Sequence, residues 1–456
     1  MIYSINPATE EQIQTFTAHT PAEVEQALAH VAAAQKQWAQ RSVAERTPLL
    51  RQVAKLLRER KAEYGALITL EMGKPVNEAE GEIEKCAWNC EFYADKAAEY
   101  LGDEVVPSSA TLSKVVYDPL GVVLAVMPWN YPFWQVMRFA APALAAGNGV
   151  VLKHANNVPQ CALAIAQLFR DAGAPEGLFA TLLVEASEVK GLIEDSRISA
   201  VTLTGSTPVG KLVASQAGAV LKKQVLELGG SDAFIVLADA DIELAAKSAV
   251  KARFQNVGQS CISAKRFIVV DAVAEQFTQR FCHYTAELKV GDPMQRDVTI
   301  GPLARANLRD DLHDQVQRSV AQGAKLLMGG KFVEGPGFFY EPTVLGDVTS
   351  DMAAGCEETF GPAAAIMRVK DTEAAIDLAN SLDYGLGAGL WTQNVEEGAK
   401  LARRIEAGAV FINGLVASDP RYPFGGIKQS GYGRELGVHG AREFTNIKTV
   451  WIGPAQ

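Results

Sequence analysis

Apolar residues recur at helical spacing through the first hundred positions. Val24, Ala27, Leu28, Val31 and Trp38 form one stripe, and Leu49, Leu50, Val53, Leu56 and Leu57 form the next. Both stripes open on a capping box, Thr20-Pro21-Ala22-Glu23 and Ser42-Val43-Ala44-Glu45, in which a hydroxyl and a carboxylate satisfy free N–H groups of a helix start. Pro21 brings the fixed φ that suits a first helical position. From about 103 to 121 the spacing changes to alternating β-formers, around Pro107-Ser108-Ser109 and again at Ser113-Lys114-Val115-Val116-Tyr117, which predicts a two-stranded hairpin arm. Beyond it, short apolar runs at 121–126, 150–153, 178–184 and 198–204 read as buried strands, with helices at about 159–172 and 188–196 between them. Strand and helix in alternation imply a parallel sheet covered on both faces, the architecture that binds dinucleotides beyond the carboxyl ends of its strands. A second such run starts at 233–237 and continues at 266–270. The fold class expected is α/β, with two Rossmann-like domains and the hairpin arm.

Composition narrows the function classes. A chain of 456 residues exceeds what one core supports, and 48% hydrophobic with 21% charged residues is a globular composition. A net charge of −10 without long basic stretches argues against nucleic acid as a partner. The opening Met1-Ile2-Tyr3-Ser4-Ile5-Asn6-Pro7 has no basic or apolar leader segment and no stretch of about 20 residues stays apolar, so no membrane partner is expected and cytoplasm is the expected location. Cys86, Cys90, Cys161, Cys261, Cys282 and Cys356 are too sparse for a disulfide framework. Cys86 and Cys90 stand four apart on a predicted helix, but no second Cys or His pair completes a zinc set, and no metal is expected. No histidine lies within twenty residues of Cys261, so nothing supports a Cys-His protease.

Four segments could carry chemistry. Gly205-Ser206-Thr207-Pro208-Val209-Gly210-Lys211-Leu212 nearly spells a phosphate-binding loop of the NTPases, but Leu212 stands where a hydroxyl must hold magnesium and Pro208 removes a backbone donor. What survives is a helix start after a strand, where N–H groups and the Ser206 hydroxyl can hold a pyrophosphate; a plain strand-to-helix turn is about as common. Cys261 follows Gly258-Gln259-Ser260 at the entry to a strand region, a placement for a reactive thiol, although a lone Cys is more often packing. Glu227, in Leu226-Glu227-Leu228-Gly229-Gly230, is a carboxylate among apolar neighbours, and in a dry pocket such a group becomes a base near neutrality. Asn130, in Pro128-Trp129-Asn130-Tyr131-Pro132, offers an amide N–H to an oxyanion or simply shapes a turn.

Together these segments resemble the aldehyde dehydrogenase superfamily over essentially the whole chain. Pro128-Trp129-Asn130, Lys153, Thr204-Gly205-Ser206, Glu227-Leu228-Gly229-Gly230, Gly258-Gln259-Ser260-Cys261, Glu358-Thr359-Phe360-Gly361-Pro362 and Pro423-Phe424-Gly425-Gly426 occur in the family's order. The resemblance implies a Cys261 nucleophile, an oxyanion site from Asn130 and the Cys261 N–H, and Glu227 as the base that activates water on the thioester. It also implies NADP or NAD as coenzyme, held by Trp129, Lys153, Asn156, Gly205, Ser206, Gly229, Glu358 and Phe360. By the same resemblance, 1–102 and 119–229 form the cofactor-binding domain and 230–442 the catalytic domain, while 103–118 and 443–456 build the arm of a homodimer or homotetramer.

Finer expectations follow from single positions. Many NAD-preferring members carry a Glu three residues after the adenosine-ribose Lys; Asn156 stands there, so a 2′-phosphate meets no repulsion and dual coenzyme use is expected. Arg138 and Trp134, on the segment after Asn130, and Ser418, on a late loop, are expected to line the aldehyde tunnel and to grip a substrate carboxylate. The competing reading pairs Arg138 with a structural acid outside the tunnel. With the short N-terminus, these features are most similar to the short-form succinate-semialdehyde dehydrogenases. His154 replaces the Pro usual after the adenosine Lys, and Ile262 follows Cys261 where some relatives have a second Cys, which removes an adjacent-cysteine redox switch. A structural or binding relative would be expected to lack Cys261 or Glu227, and an acylating relative passing the thioester to phosphate or CoA could dispense with Glu227. Retention of both favours water as the acceptor.

Overall fold

The computed structural model describes residues 1–453. Both capping boxes form as expected: the Thr20 hydroxyl accepts from the Glu23 N–H at 3.3 Å, the Glu23 carboxylate accepts from the Thr20 N–H at 2.7 Å, and Ser42 and Glu45 repeat the exchange. The helices Pro21–Ala39, Val43–Glu59, Lys61–Met72 and Val76–Tyr100 then wrap the first of two large sheets.

That sheet runs Gly431–Tyr432, Lys223–Glu227, Ile198–Thr204, Val122–Met127, Gly149–His154, Phe179–Thr181, and its last five strands are parallel. Alternate residues explain the cover on both faces. Val123, Ala125 and Met127 enter a core shared with Val53, Ile83 and Phe139, whereas Val122 and Leu124 pack with Leu28 and Val31 of the first helix. The expected strand at 178–184 is only three residues long. It lies at the sheet edge, and beyond it the Leu183 carbonyl accepts from the His19 N–H at 2.8 Å instead of extending the ladder.

The second sheet, also mostly parallel, runs Lys325–Met328, Thr343–Gly346, Ala363–Val369, Ala264–Val270, Asp232–Val236, Gly387–Trp391, Ala409–Ile412. The two sheets and their helices are the α/β architecture read from the chain. In the arm, Leu112–Pro119 pairs with the short Glu104–Val105 in a hairpin and, over its whole length, with Thr445–Ile452 from the C-terminal segment. Residues 454–456 of the expected arm lie outside the described residues. No helix among the described residues is long and apolar enough to cross a membrane.

Candidate active site

In the first sheet the strand order reverses direction between Val122–Met127 and Ile198–Thr204, and at such a switch point the loops leaving the carboxyl ends part to leave a crevice. Trp129 and Asn130 follow one of these strands, Gly205 and Ser206 the other, and Glu227 ends the neighbouring strand. The second sheet meets this crevice with its amino ends, since Cys261 precedes Ala264–Val270 and Glu358 precedes Ala363–Val369.

The loop before Cys261 is held in an unusual backbone conformation. Asn256, Val257 and Gly258 have φ of 54°, 57° and 71°, and for a β-branched residue the left-handed region costs ~1–3 kcal/mol. Four sets of hydrogen bonds fix it. The Asn256 N–H donates to Glu78 Oε2 at 2.6 Å, and its side-chain amide donates to the carbonyls of Asn130 (2.9 Å) and Gln259 (3.1 Å). The buried Arg253 guanidinium donates to the carbonyls of Ala264 (2.9 Å), Gly258 (2.8 Å), Thr359 (3.2 Å) and Gly361. Gly258 packs so closely on the Gly361 carbonyl that a Cβ would collide with it. Lys265, fully buried, donates to the carbonyls of Ser260 (2.9 Å) and Cys261 (2.5 Å). Burial pushes the Cys261 thiol up to about 12; Lys265 and then Arg138 are the largest influences in the opposite direction.

Asn130 is buried, and its side-chain amide donates to the Gln259 carbonyl at 3.0 Å, so one N–H holds it against the Cys261 loop and the other is left over. Glu227 is 1% exposed, and neither of its carboxylate oxygens has a hydrogen-bond partner. Burial pushes it up to about 8, with Arg138 acting in the opposite sense and Glu435 adding to the rise. Space for the carboxylate comes from Gly425, φ +150°, where a Cβ would stand 2.7 Å from Glu227 Oε1. The edge strand Gly431–Tyr432 pins the backbone through Gly431 opposite Glu227.

The groups expected to hold a dinucleotide fit one in several respects. Lys153 is largely buried, its ammonium lowered by burial, and it donates to Asn156 Oδ1 at 3.0 Å; Asn156 in turn donates to Glu185 at 2.8 Å. Ser206 is the N-cap of Thr207–Ala219 without a side-chain capping bond, so its hydroxyl and the first helical N–H groups remain free, and a Cβ at Gly205 would meet only Leu203 Cδ2, at 3.8 Å. Glu358 Oε1 accepts from the Gly230 N–H at 3.0 Å, and a Cβ at Gly229 would strike its carboxylate. Phe360 stands edge-on to Trp129 with ring centroids 5.9 Å apart. His154, the departure noted in the sequence, is kept neutral by burial, which lowers it to about 4, and its Nε2 shares a hydrogen bond with the Pro132 carbonyl at 2.9 Å. It therefore ties the Lys153 loop to the Asn130 turn.

Cys261 opens on a cavity of about 280 Å³ lined by Trp134, Arg138, Ser418, Phe424 and Lys85 among others. Arg138 lines this cavity, and its charge is also paired within the protein. Its guanidinium, 2% exposed, forms an ion pair with Glu435, donates to Thr204 Oγ1 at 3.3 Å and lies over the Phe424 ring at 4.6 Å. A guanidinium so engaged has its charge answered within the protein, although it stands on the cavity wall and not outside it. Sequence reasoning missed Lys85, whose ammonium donates to Ser418 Oγ at 2.8 Å across 333 residues, and also missed Glu435, Arg253 and Lys265. Only the break in the buried stripe of Val76–Tyr100 at Glu82 and Lys85 could have signalled the first. Among the described residues no cluster could hold a metal ion, and Cys86 and Cys90 are buried in the core.

Two sheets meeting at a switch point, with a thiol on a strained loop and a buried carboxylate at a strand end, define an oxidoreductase of the dinucleotide-binding kind. The Aldehyde dehydrogenase family model matches residues 1–450, and the chain belongs to that family. It is 54% identical over 451 residues to a Synechocystis protein named probable succinate-semialdehyde dehydrogenase (NADP+), covering 99% of both chains. It is 50% identical over 448 residues to a succinate semialdehyde dehydrogenase (NAD(P)+) of Escherichia coli, covering 98% of this chain and 97% of that one. The crystal structure of succinic semialdehyde dehydrogenase from Streptococcus pyogenes with NADP+ superposes with a TM-score of 0.97 at 38% identity, covering 100% of each chain.

Proposed function

We propose that the protein oxidises succinic semialdehyde to succinate with NADP or NAD as coenzyme and water as acyl acceptor. The observation that carries this reading is the cavity that joins Cys261 to Lys85, Arg138 and Ser418, with Glu78, Glu82 and Asp232 also on its lining, while Glu227 sits dry and without a hydrogen bond at the strand end behind it. The Cys261 sulfur adds to the aldehyde carbon as its thiol proton passes to solvent, and the developing oxyanion takes hydrogen bonds from the free Asn130 N–H and the Cys261 backbone N–H. The coenzyme, when bound, supplies the hydride acceptor that turns this adduct into a thioester. Glu227 then takes a proton from water as that water adds to the thioester carbon, and the Cys261 thiolate leaves. Lys153, Asn156, Ser206, Gly205, Gly229, Glu358, Trp129 and Phe360 hold the coenzyme, with 1–102 and 119–229 as its domain and 230–442 as the catalytic one. Asn156 is itself uncharged, which supports dual coenzyme use, although its amide holds the Glu185 carboxylate at 2.8 Å.

The arm supports assembly into a dimer or tetramer. Ile447 (61% exposed), Trp451 (56%) and Val105 (70%) give it apolar surface, and a light-scattering mass of two or four times 48.9 kDa is the expected result. No membrane or nucleic-acid partner enters this reading, and the proposed location is the cytoplasm. The function is tested by comparing kcat/KM for succinic semialdehyde and butanal, with Cys261→Ala as blank. A preference of roughly thirty-fold or more for the semialdehyde is expected; near-equal values would leave a general aliphatic aldehyde dehydrogenase.

A further inference from the structure

Cys261 joins two peptide units, one on each side of its Cα, and a single side chain holds both. Lys265 Nζ donates to the Ser260 carbonyl at 2.9 Å and to the Cys261 carbonyl at 2.5 Å. Because each peptide is planar, tying both carbonyls to one ammonium fixes the backbone torsions of Cys261 and the direction in which its thiol leaves the chain. The Ser260 carbonyl also belongs to the same peptide as the Cys261 N–H, the group proposed to meet the oxyanion. An ammonium at one end of that peptide polarises it and makes the N–H at the other end a stronger donor.

The surroundings of Lys265 add a second observation. Two carbonyls could be tied by an uncharged donor such as an amide, whereas an ammonium in a fully buried site is costly unless carboxylates answer it. Two do so. Glu358 lies 3.7 Å from Lys265 Nζ, and Asp232 reaches the same backbone: an ideal Cβ at Gly230 would stand 3.1 Å from Asp232 Oδ1 and 3.1 Å from the Cys261 carbonyl oxygen. Burial lowers the Lys265 ammonium, Arg253 adds to this, and Glu358 and Asp232 oppose it. Of the charges that act on the Cys261 thiol, Lys265 and Arg138 favour the thiolate, Glu227 and Asp232 disfavour it, and Lys265 has the largest effect.

We infer that Lys265 is a positioning residue for the reaction: it locks the two peptides beside Cys261, strengthens the Cys261 N–H as an oxyanion donor, and sets a positive charge next to the nucleophile. Lys265 itself touches neither substrate nor the reacting atoms and keeps its proton throughout. The inference rests on the Cys261 chemistry proposed above and adds the group that prepares it.

The test is the rate of Cys261 alkylation by iodoacetamide in full-length enzyme without coenzyme, between pH 6.5 and 9, with Cys261→Ala as the blank for the other thiols. Below the ionisation midpoint this rate rises about tenfold per pH unit, so a change in thiolate content reads as a constant factor across the range. Lys265→Met should lower the rate by roughly tenfold or more. Lys265→Gln, which keeps donors for a carbonyl without the charge, should stay low as well, and Lys265→Arg should recover part of the rate. With coenzyme and aldehyde present, the rate constant of the reduction burst should follow the same order while its amplitude per folded site stays near one. Alkylation at the wild-type rate in Lys265→Met, full recovery in Lys265→Gln, or a loss confined to the folded fraction with the rate per site unchanged would each overturn the inference. A Cys261→Ala enzyme that still gives the burst would instead overturn the Cys261 chemistry itself.

Discussion

Glu227 sets the pH dependence of turnover if it activates the water that hydrolyses the thioester. Its carboxyl is raised to about 8 by burial, so about a tenth of it is in the base form at pH 7, half at pH 8 and about nine tenths at pH 9. Where hydrolysis limits, steady-state turnover should rise roughly tenfold between pH 7 and pH 9, while the initial burst of reduced coenzyme stays near one per site. Glu435→Gln tests the electrostatics. Glu435 raises Glu227 and pairs with Arg138, which acts in the opposite sense; a neutral amide removes the repulsion and frees Arg138 charge for Glu227, so the rising limb should move to lower pH. Because Glu227 and Glu435 face the same guanidinium, the limb belongs to the pair rather than to one carboxyl. Glu227→Gln should keep the burst and lower the steady rate by ~10²–10⁴-fold. Stopped-flow measurement of burst and steady phase across pH 6.5–9.5 decides the matter. A steady phase that is flat over this range, or a limb that Glu435→Gln leaves in place, would refute the assignment.

Arg253→Met should destabilise the protein by ~3–5 kcal/mol, because a buried guanidinium is replaced and four carbonyls lose a donor. The midpoint of denaturant unfolding measures it, and the Cys261 burst should slow as the strained loop loosens. Asn156→Glu should place a carboxylate against the coenzyme 2′-phosphate beside Lys153, raising the KM for NADP by roughly thirty- to a hundredfold with a much smaller change for NAD; equal changes for both coenzymes would contradict the role given to this position.

What could be read from the chain was what local order encodes. The capping boxes, the strands at 122–127, 149–154 and 198–204, and the segments holding Cys261, Glu227 and Asn130 each carry their signal within a few residues. Arg138 shows where that stops. Its position in the cavity followed from its segment, but the state of its charge depends on Glu435, whose partner only the folded chain reveals. Lys85 and Ser418 meet across 333 residues, and neither neighbourhood announces the other. The hairpin of the arm is legible from its local pattern, whereas the register of Thr445–Ile452 along the whole of Leu112–Pro119 is a long-range pairing that local order does not carry.

The attachment of Gly431–Tyr432 beside Glu227 has a consequence for how the enzyme is made. Strand pairing there, the Gly425 niche for the carboxylate, and the Lys85–Ser418 contact all wait for segments that leave the ribosome after some four hundred others. A nascent chain thus carries its nucleophile long before it has a working base or a finished pocket. Contacts of such sequence separation form slowly. Catalytic competence should therefore arrive in one late step, and an aldehyde met during synthesis finds a thiol without its finished pocket or its working base.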